Sequence, residues 1–255
     1  MIVRIAYAAI MIGAVLAASW LVRKQQRKLP LTPIQRLALG LSAFIGCMLG
    51  AKAPFLLQLG WEGLWSGTVW FADGKTILGG IVGGYLAVEM TKPLVGIRFS
   101  TGDSFALPAA VAIMMGRLGC FVAGCCFGTP TDLPWGIEFP LAGDDIPVPR
   151  HPTQLYEVVF HALAAIVLYV TMDSKRFAGN KLKIYLIIYF AFRFFTEFLR
   201  PEPAIFLGLT GYQWASLALI LILLILPTIN ATHLLLTEAG ELLGFGRRLH
   251  HAKTK

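Results

Sequence analysis

With 255 residues, 56% hydrophobic content, only 14% charged residues and a mean hydropathy of +0.69, the chain is too apolar for a soluble domain, which carries about 25% charged residues. A formal net charge of +8 would suggest nucleic acid in a soluble protein; here the bases sort between apolar runs, so the composition points to an integral membrane protein with no nucleic-acid partner. Four cysteines, three of them clustered, do not make a secreted disulfide scaffold in a chain of this length.

Ile2–Val22 is apolar apart from Arg4 and long enough to cross the ~30 Å hydrocarbon core as a helix. Its basic cluster (Arg23, Lys24, Arg27, Lys28) follows the run, the reverse of a signal peptide, so an uncleaved first helix is expected. Leu37–Leu59 forms a second span, with Lys52 in Gly50-Ala51-Lys52. Gly60–Gly74 is a connection carrying Trp61, Trp65 and Trp70, residues suited to the membrane interface. Lys75–Val95 is a glycine-rich third span and Phe105–Phe121 a fourth. Thr129–Pro152 is a polar loop with six prolines. Thr153–Met172, Ile184–Leu199 and Tyr212–Ile229 complete seven spans, and residues 230–255 form a basic tail.

The expected class is therefore all-α and polytopic, a seven-helix transmembrane domain over residues 1–229 followed by a tail. With the N-terminus outside, inner segments hold 15 of the 22 Lys and Arg, outer segments 4 and the spans 3. This obeys the positive-inside rule and puts the C-terminus in the cytoplasm. The cysteine-rich stretch, the proline-rich loop and Arg200 then share the outer face.

Gly116-Arg117-Leu118-Gly119-Cys120-Phe121-Val122-Ala123-Gly124-Cys125-Cys126-Phe127-Gly128 puts one charge among glycines at the end of a buried helix. A guanidinium there keeps its proton and must find an anion or water. In the sixth span Tyr189, Arg193, Glu197 and Arg200 are spaced to share a helical face. An Arg193–Glu197 pair explains one arginine and leaves Arg200 over; with Arg117 the excess is positive. Arginine forks match phosphate geometry, so a phospholipid head group is the natural ligand.

Arg150-His151-Pro152-Thr153-Gln154-Leu155-Tyr156-Glu157 leads into the fifth span. Pro152 suits a helix start, with Thr153 or His151 as cap. Glu157 is placed to neutralise an arginine. His151 is either a surface residue or an acid–base group, since imidazole titrates near neutral pH; His161, deeper in the helix, reads as an interior residue. Cys120, Cys125 and Cys126 are open to three readings: packing, a redox pair with a disulfide from Cys120, or pocket thiols. No second cluster lies at zinc-ligand spacing, so neither a metal nor a cofactor is expected.

Several of these segments together resemble the prolipoprotein diacylglyceryl transferases. The stretch from Gly116 to Gly128 is similar to that family's G-R-x-G-N-F-x-N-G-E-x-x-G, and His151-Pro152-Thr153-Gln154-Leu155-Tyr156-Glu157 to its H-P-S-Q-L-Y-E. Arg193-Phe194-Phe195-Thr196-Glu197-Phe198-Leu199-Arg200-Pro201-Glu202 resembles R-x-x-x-E-x-x-R-x-P-D. Gly50-Ala51-Lys52 stands where the family has G-A-R, and Gly211-Tyr212-Gln213-Trp214-Ala215-Ser216 resembles a late G-Q-x-L-S. The ordered matches run from about Phe44 to Ser216.

The resemblance implies a multi-pass enzyme of the bacterial inner membrane that moves the diacylglyceryl group of phosphatidylglycerol to the lipobox cysteine of a preprolipoprotein. It implies catalytic roles for Arg117, Arg193, Tyr189 and Glu197; His151 or Glu157 is the base expected from the residues themselves, since the family's histidine is missing. Arg117, Arg193 and Arg200, with Gly116, Gly119 and Gly124, would hold the lipid phosphate. The pattern differs at Leu78, which stands where the family has the histidine of H-G-G, at Cys120 and Cys125 in place of asparagine and glutamate, and at Ala123 in place of the second asparagine. These differences leave open another acceptor, a non-catalytic lipid-binding protein or a membrane thiol oxidoreductase.

Overall fold

A computed structural model describes residues 2–65, 76–142 and 147–225. Among them are seven α-helices: α1 (Ile2–Gln26), α2 (Pro33–Trp65), α3 (Ile77–Leu94), α4 (Asp103–Val122), α5 (Thr153–Val170), α6 (Lys181–Thr196) and α7 (Gly211–Ile225). Four stretches are long and apolar enough to cross a membrane: Ile2–Gln26, Pro33–Leu56, Asp103–Val122 and Thr153–Val170. The basic tail at 230–255, the end of the expected seventh span and Trp70 lie outside the described residues.

The fold is mostly helical, with two departures from an all-α chain. Antiparallel ribbons pair Ile137–Glu138 with Pro149–Arg150, and Ala204–Phe206 with Leu209–Thr210. Both sit in loops at one end of the bundle, where the chain reverses and leaves backbone groups to satisfy. The second helix continues to Trp65, past the expected break at Gly60. The sixth helix stops at Thr196; Glu197–Leu199 is a 3-10 turn and Arg200 is extended, so the four polar residues of this segment do not share one helical face throughout.

Burial runs opposite to that of a soluble protein. Lys52, Arg117, Gln154, Glu157, His161, Arg193, Glu197 and Gln213 are buried, while Leu163, Ile166, Val167 and Val170 of α5 are largely exposed. Hydrocarbon around the bundle makes this stable, because apolar side chains face lipid and charges pair inside.

Helix α2 packs along α3 and α1 along α4. The first contact requires glycine. A methyl group at Gly46, Gly50, Gly79 or Gly83 would strike the facing backbone, with Gly83 Cα 2.8 Å from the position of a Gly50 methyl. Small residues thus set the helix spacing. Helices α4, α5, α6 and α7 gather at one end of the bundle. The opposite end is closed by Asp103, which accepts from the Gly179 and Lys181 amides, and by the Lys28–Asp173 ion pair.

The α2–α3 contact predicts that Gly50→Leu destabilises the protein by about 1–3 kcal/mol, read as a lower unfolding temperature in detergent. Gly40→Ala, where nothing lies within 4 Å, is expected to be neutral or stabilising. Equal effects would contradict close packing at this seam.

Candidate active site

The site is built on a buried ion network between three helices. Arg117 of α4 meets Glu157 of α5 through two contacts, Nε–Oε2 at 2.8 Å and Nη2–Oε1 at 2.6 Å. Arg193 of α6 pairs with Glu197 at 2.6 Å and approaches Glu157 at 3.8 Å. The Tyr189 hydroxyl donates to Glu157 Oε2 at 3.3 Å, and the Thr210 hydroxyl to Glu197 Oε1 at 3.2 Å. Each charge in a low-dielectric interior is held by an opposite one.

Below the network lies an apolar and aromatic floor of Leu78, Ala110, Tyr185, Leu186, Tyr189 and Phe190. Leu78, which stands where the resembled family has histidine, packs into this floor. His161 is interior, as expected: its Nδ1 is 2.9 Å from the Tyr185 hydroxyl and its ring lies 4.6 Å from that of Tyr189.

Beside the network the chain leaves α4 in a tight loop. Gly124 (φ +68°) and Cys126 (φ +63°) both take left-handed backbone, which is uncommon for a residue other than glycine. Three side chains from other segments hold the loop. Thr153 Oγ1 donates to the Cys126 carbonyl at 2.8 Å, Arg200 Nη2 donates to the same oxygen at 3.1 Å, and Gln154 Nε2 donates to the Cys125 carbonyl at 2.6 Å. Neither Thr153 nor His151 caps α5, whose preceding residue is Pro152; the Thr153 hydroxyl is spent on Cys126. All four cysteines are free thiols, and the sulfurs of Cys120, Cys125 and Cys126 lie within 4.8 Å of one another. Hydrogen bonding with Cys120 and Cys125, with Arg117 and Arg200 nearby, holds the Cys126 thiol well below its ordinary range. Hydrogen bonding with Cys120 and Cys126 pushes Cys125 up.

Most of the residues singled out in the sequence converge. Arg117, Glu157, Tyr189, Arg193 and Glu197 form the network, and Arg200 joins it to the cysteine loop. His151 lies just before α5, half-buried, with Nδ1 3.1 Å from the Tyr156 hydroxyl; that hydroxyl accepts from Trp135 Nε1 at 2.9 Å. The three glycines differ. Gly119 faces Tyr7 and Ile10 of α1, nothing lies within 4 Å of a Gly116 methyl, and Gly124 makes the turn. Only Gly124 is tied to the site by its backbone. Sequence reasoning missed Thr210, whose amide donates to Gln213 Oε1 at 2.8 Å, and the hold of Thr153 and Gln154 on the loop. Thr153 and Gln154 lie within the motif from His151 to Glu157, and Thr210 stands one residue before the motif from Gly211 to Ser216.

Two donors in the cluster are left over. Arg200 Nε is buried without a hydrogen-bond acceptor, and Arg193 Nη1 has only the long 3.8 Å ion-pair contact to Glu157 Oε1; native interiors rarely leave such donors short of an acceptor without a ligand or water. A cavity of about 290 Å³ lies elsewhere, at the Asp103–Lys181 end of the bundle.

The sequence profile described as prolipoprotein diacylglyceryl transferase matches residues 2–229. The chain is 33% identical over 226 residues to the phosphatidylglycerol–prolipoprotein diacylglyceryl transferase of Methylococcus capsulatus, covering 82% of each chain. It is 37% identical over 175 residues to the Bordetella avium protein of that name (66% of this chain, 63% of the relative). For the Cupriavidus pinatubonensis protein the identity is 39% over 161 residues (60% and 57%). The matches to the last two therefore span less than two thirds of those relatives.

Glu157 is the shared anion of two guanidiniums, so Glu157→Gln should cost about 3–5 kcal/mol of stability, seen as a large drop in unfolding temperature in detergent. Exposed Glu138→Gln should be nearly neutral. Similar small shifts in both would contradict the network.

Proposed function

This chain belongs to the prolipoprotein diacylglyceryl transferase family, and we propose that it transfers the diacylglyceryl group of phosphatidylglycerol to the lipobox cysteine thiol of preprolipoproteins. The observation that carries the reading to these residues is a pair of buried guanidinium donors beside the Arg117–Glu157 pair, Arg200 Nε with no acceptor and Arg193 Nη1 with only a 3.8 Å contact to Glu157. A phosphodiester would supply the missing acceptors.

In this reading the acceptor thiol gives up its proton. Its sulfur forms a bond to the glycerol carbon that carries the phosphate while that carbon–oxygen bond breaks. The thioether product forms, glycerol phosphate leaves with the bonding electron pair, and the proton is carried off by a base. Arg193 and Arg200, with Arg117, stabilise the charge growing on the leaving phosphate. Such fixed cations act at full strength where water is excluded. Glu157 and Glu197 hold the guanidiniums in place, and Tyr189 orients Glu157. His151 is the better base of the two expected, since both Glu157 oxygens face guanidinium or phenol groups and the imidazole sits at the partly open rim.

The proposed topology is seven spans in a bacterial inner membrane, with the N-terminus outside and residues 230–255 cytoplasmic. The Lys and Arg distribution supports it, as does the gathering of Arg117, Arg193 and Arg200 at the end opposite the basic Lys28–Lys181 end. The site then opens to the outer leaflet.

Expression in a strain depleted of its own transferase tests the reading. The wild-type chain should restore growth, and Arg193→Gln, at equal membrane abundance, should lower transfer by about 10²–10³ and fail to restore it. No growth with abundant wild-type protein would overturn the lipobox acceptor. His151→Ala should slow transfer in purified protein by about 10²-fold or more; full activity would remove His151 from the mechanism.

A further inference from the structure

The three thiols beside the network are not used by the chemistry above. Cys120 lies in the last turn of α4, while Cys125 and Cys126 come from the left-handed turn that follows, and their sulfurs lie within 4.8 Å of one another. The chain spacing alone does not bring them together; the turn does. Its closure is enforced from outside by Thr153, Gln154 and Arg200 on the Cys125 and Cys126 carbonyls. The positive φ at Cys126 therefore persists because other segments hold it, and the result is a preassembled set of three sulfurs. All three residues are partly accessible.

Geometry and charge select the ligand class. A zinc ion bonds thiolate sulfur at about 2.3 Å, which puts tetrahedral sulfurs roughly 3.8 Å apart; sulfurs already within 4.8 Å need a contraction of at most about 1 Å. Thiolate ligands favour zinc or copper(I) over magnesium or calcium. Arg117, Arg193 and Arg200 exceed Glu157 and Glu197 by one positive charge. A divalent ion on three thiolates carries one negative charge against two for copper(I), the smaller load to place beside a site that must also admit a phosphate. Among the described residues no fourth cysteine, histidine or carboxylate joins the set. The fourth position of a tetrahedral ion is thus open, the pattern of a reactive rather than a structural zinc site.

We propose that Cys120, Cys125 and Cys126 bind Zn2+ as a three-thiolate site whose open position takes the sulfur of an incoming thiol. Binding converts three thiols to thiolates and releases three protons. A thiol arriving at the fourth position loses its proton in turn, to water at this partly accessible site, which would ready it for alkylation. This last step rests on the transferase reading; the metal site itself does not. The proposal departs from the expectation, drawn from spacing, that the cysteines hold no metal.

The test uses the purified full chain in detergent, reduced and stripped with a chelator, titrated with Co2+ as a coloured substitute for Zn2+. One equivalent should give a thiolate-to-cobalt charge-transfer band, displaced by Zn2+ with no further proton release. Cys120→Ser and Cys126→Ser should each weaken Zn2+ binding by ~100-fold or more, since even outer-shell losses cost about 10–100-fold. A lipobox peptide should intensify the band, and its serine counterpart should not. No charge-transfer band in the wild type, or equal affinity in both serine variants, would overturn the site. A band that ignores the cysteine peptide would overturn the open position. Arg117→Gln should keep the band. If the band forms but the wild type transfers no lipid, the transferase reading fails and the metal site stands.

Discussion

The structure depends on one shared anion. Glu157 projects from α5 between Arg117 of α4 and Arg193 of α6, so three helices are tied at one depth by a single carboxylate. Two guanidiniums cannot be buried side by side without such a group, because desolvation of an unpaired charge costs several kcal/mol. Tyr189 from the side and the aromatic floor below fix where the carboxylate sits. Once Glu157 is in place, Arg193 can reach Glu197 as well, and Thr210 at the threshold of α7 closes the far side. Helix order, ribbon position and cysteine loop are all arranged around that knot.

The same arrangement gives the site its chemistry. Four buried charges cancel in pairs, and Arg200 is left over at the rim. The cluster is therefore neutral enough to bury and positive enough to attract an anion. Within a lipid surround, the available anion with two free oxygens to accept a pair of N–H donors is a phosphodiester, and arginine forks suit it better than a point charge would. Apolar side chains exposed on α5 bring hydrocarbon to the same helix that carries Glu157 near its start. Membership of the prolipoprotein diacylglyceryl transferase family agrees with a site of this charge and place.

Much of this was legible in the sequence because charges inside apolar runs are conspicuous. Arg117, Arg193 and Glu197 had to be paired or used, and Glu157 was visible as a neutralising group. Which arginine it would serve was not visible, since that depends on the rotation of α5 against two neighbours. The helix bounds followed from hydropathy to within a few residues, except where Trp61 and Trp65 continued α2. The ribbons and the 3-10 turn after Thr196 were hidden, being set by tertiary contacts rather than by local pattern. That the three cysteine sulfurs lie close together was hidden for the same reason. Spacing along the chain says nothing about a left-handed turn at Gly124 and Cys126 that Thr153, Gln154 and Arg200 hold from other segments.

The most direct measurement is mass spectrometry of a lipobox peptide incubated with the purified protein and phosphatidylglycerol. The predicted result is a peptide carrying a thioether-linked diacylglyceryl group, with one glycerol phosphate released per peptide modified. A peptide recovered with its thiol free, or carrying a single acyl group as a thioester, would contradict the account, because neither outcome breaks the bond between the glycerol carbon and the phosphate that the arginines are placed to hold.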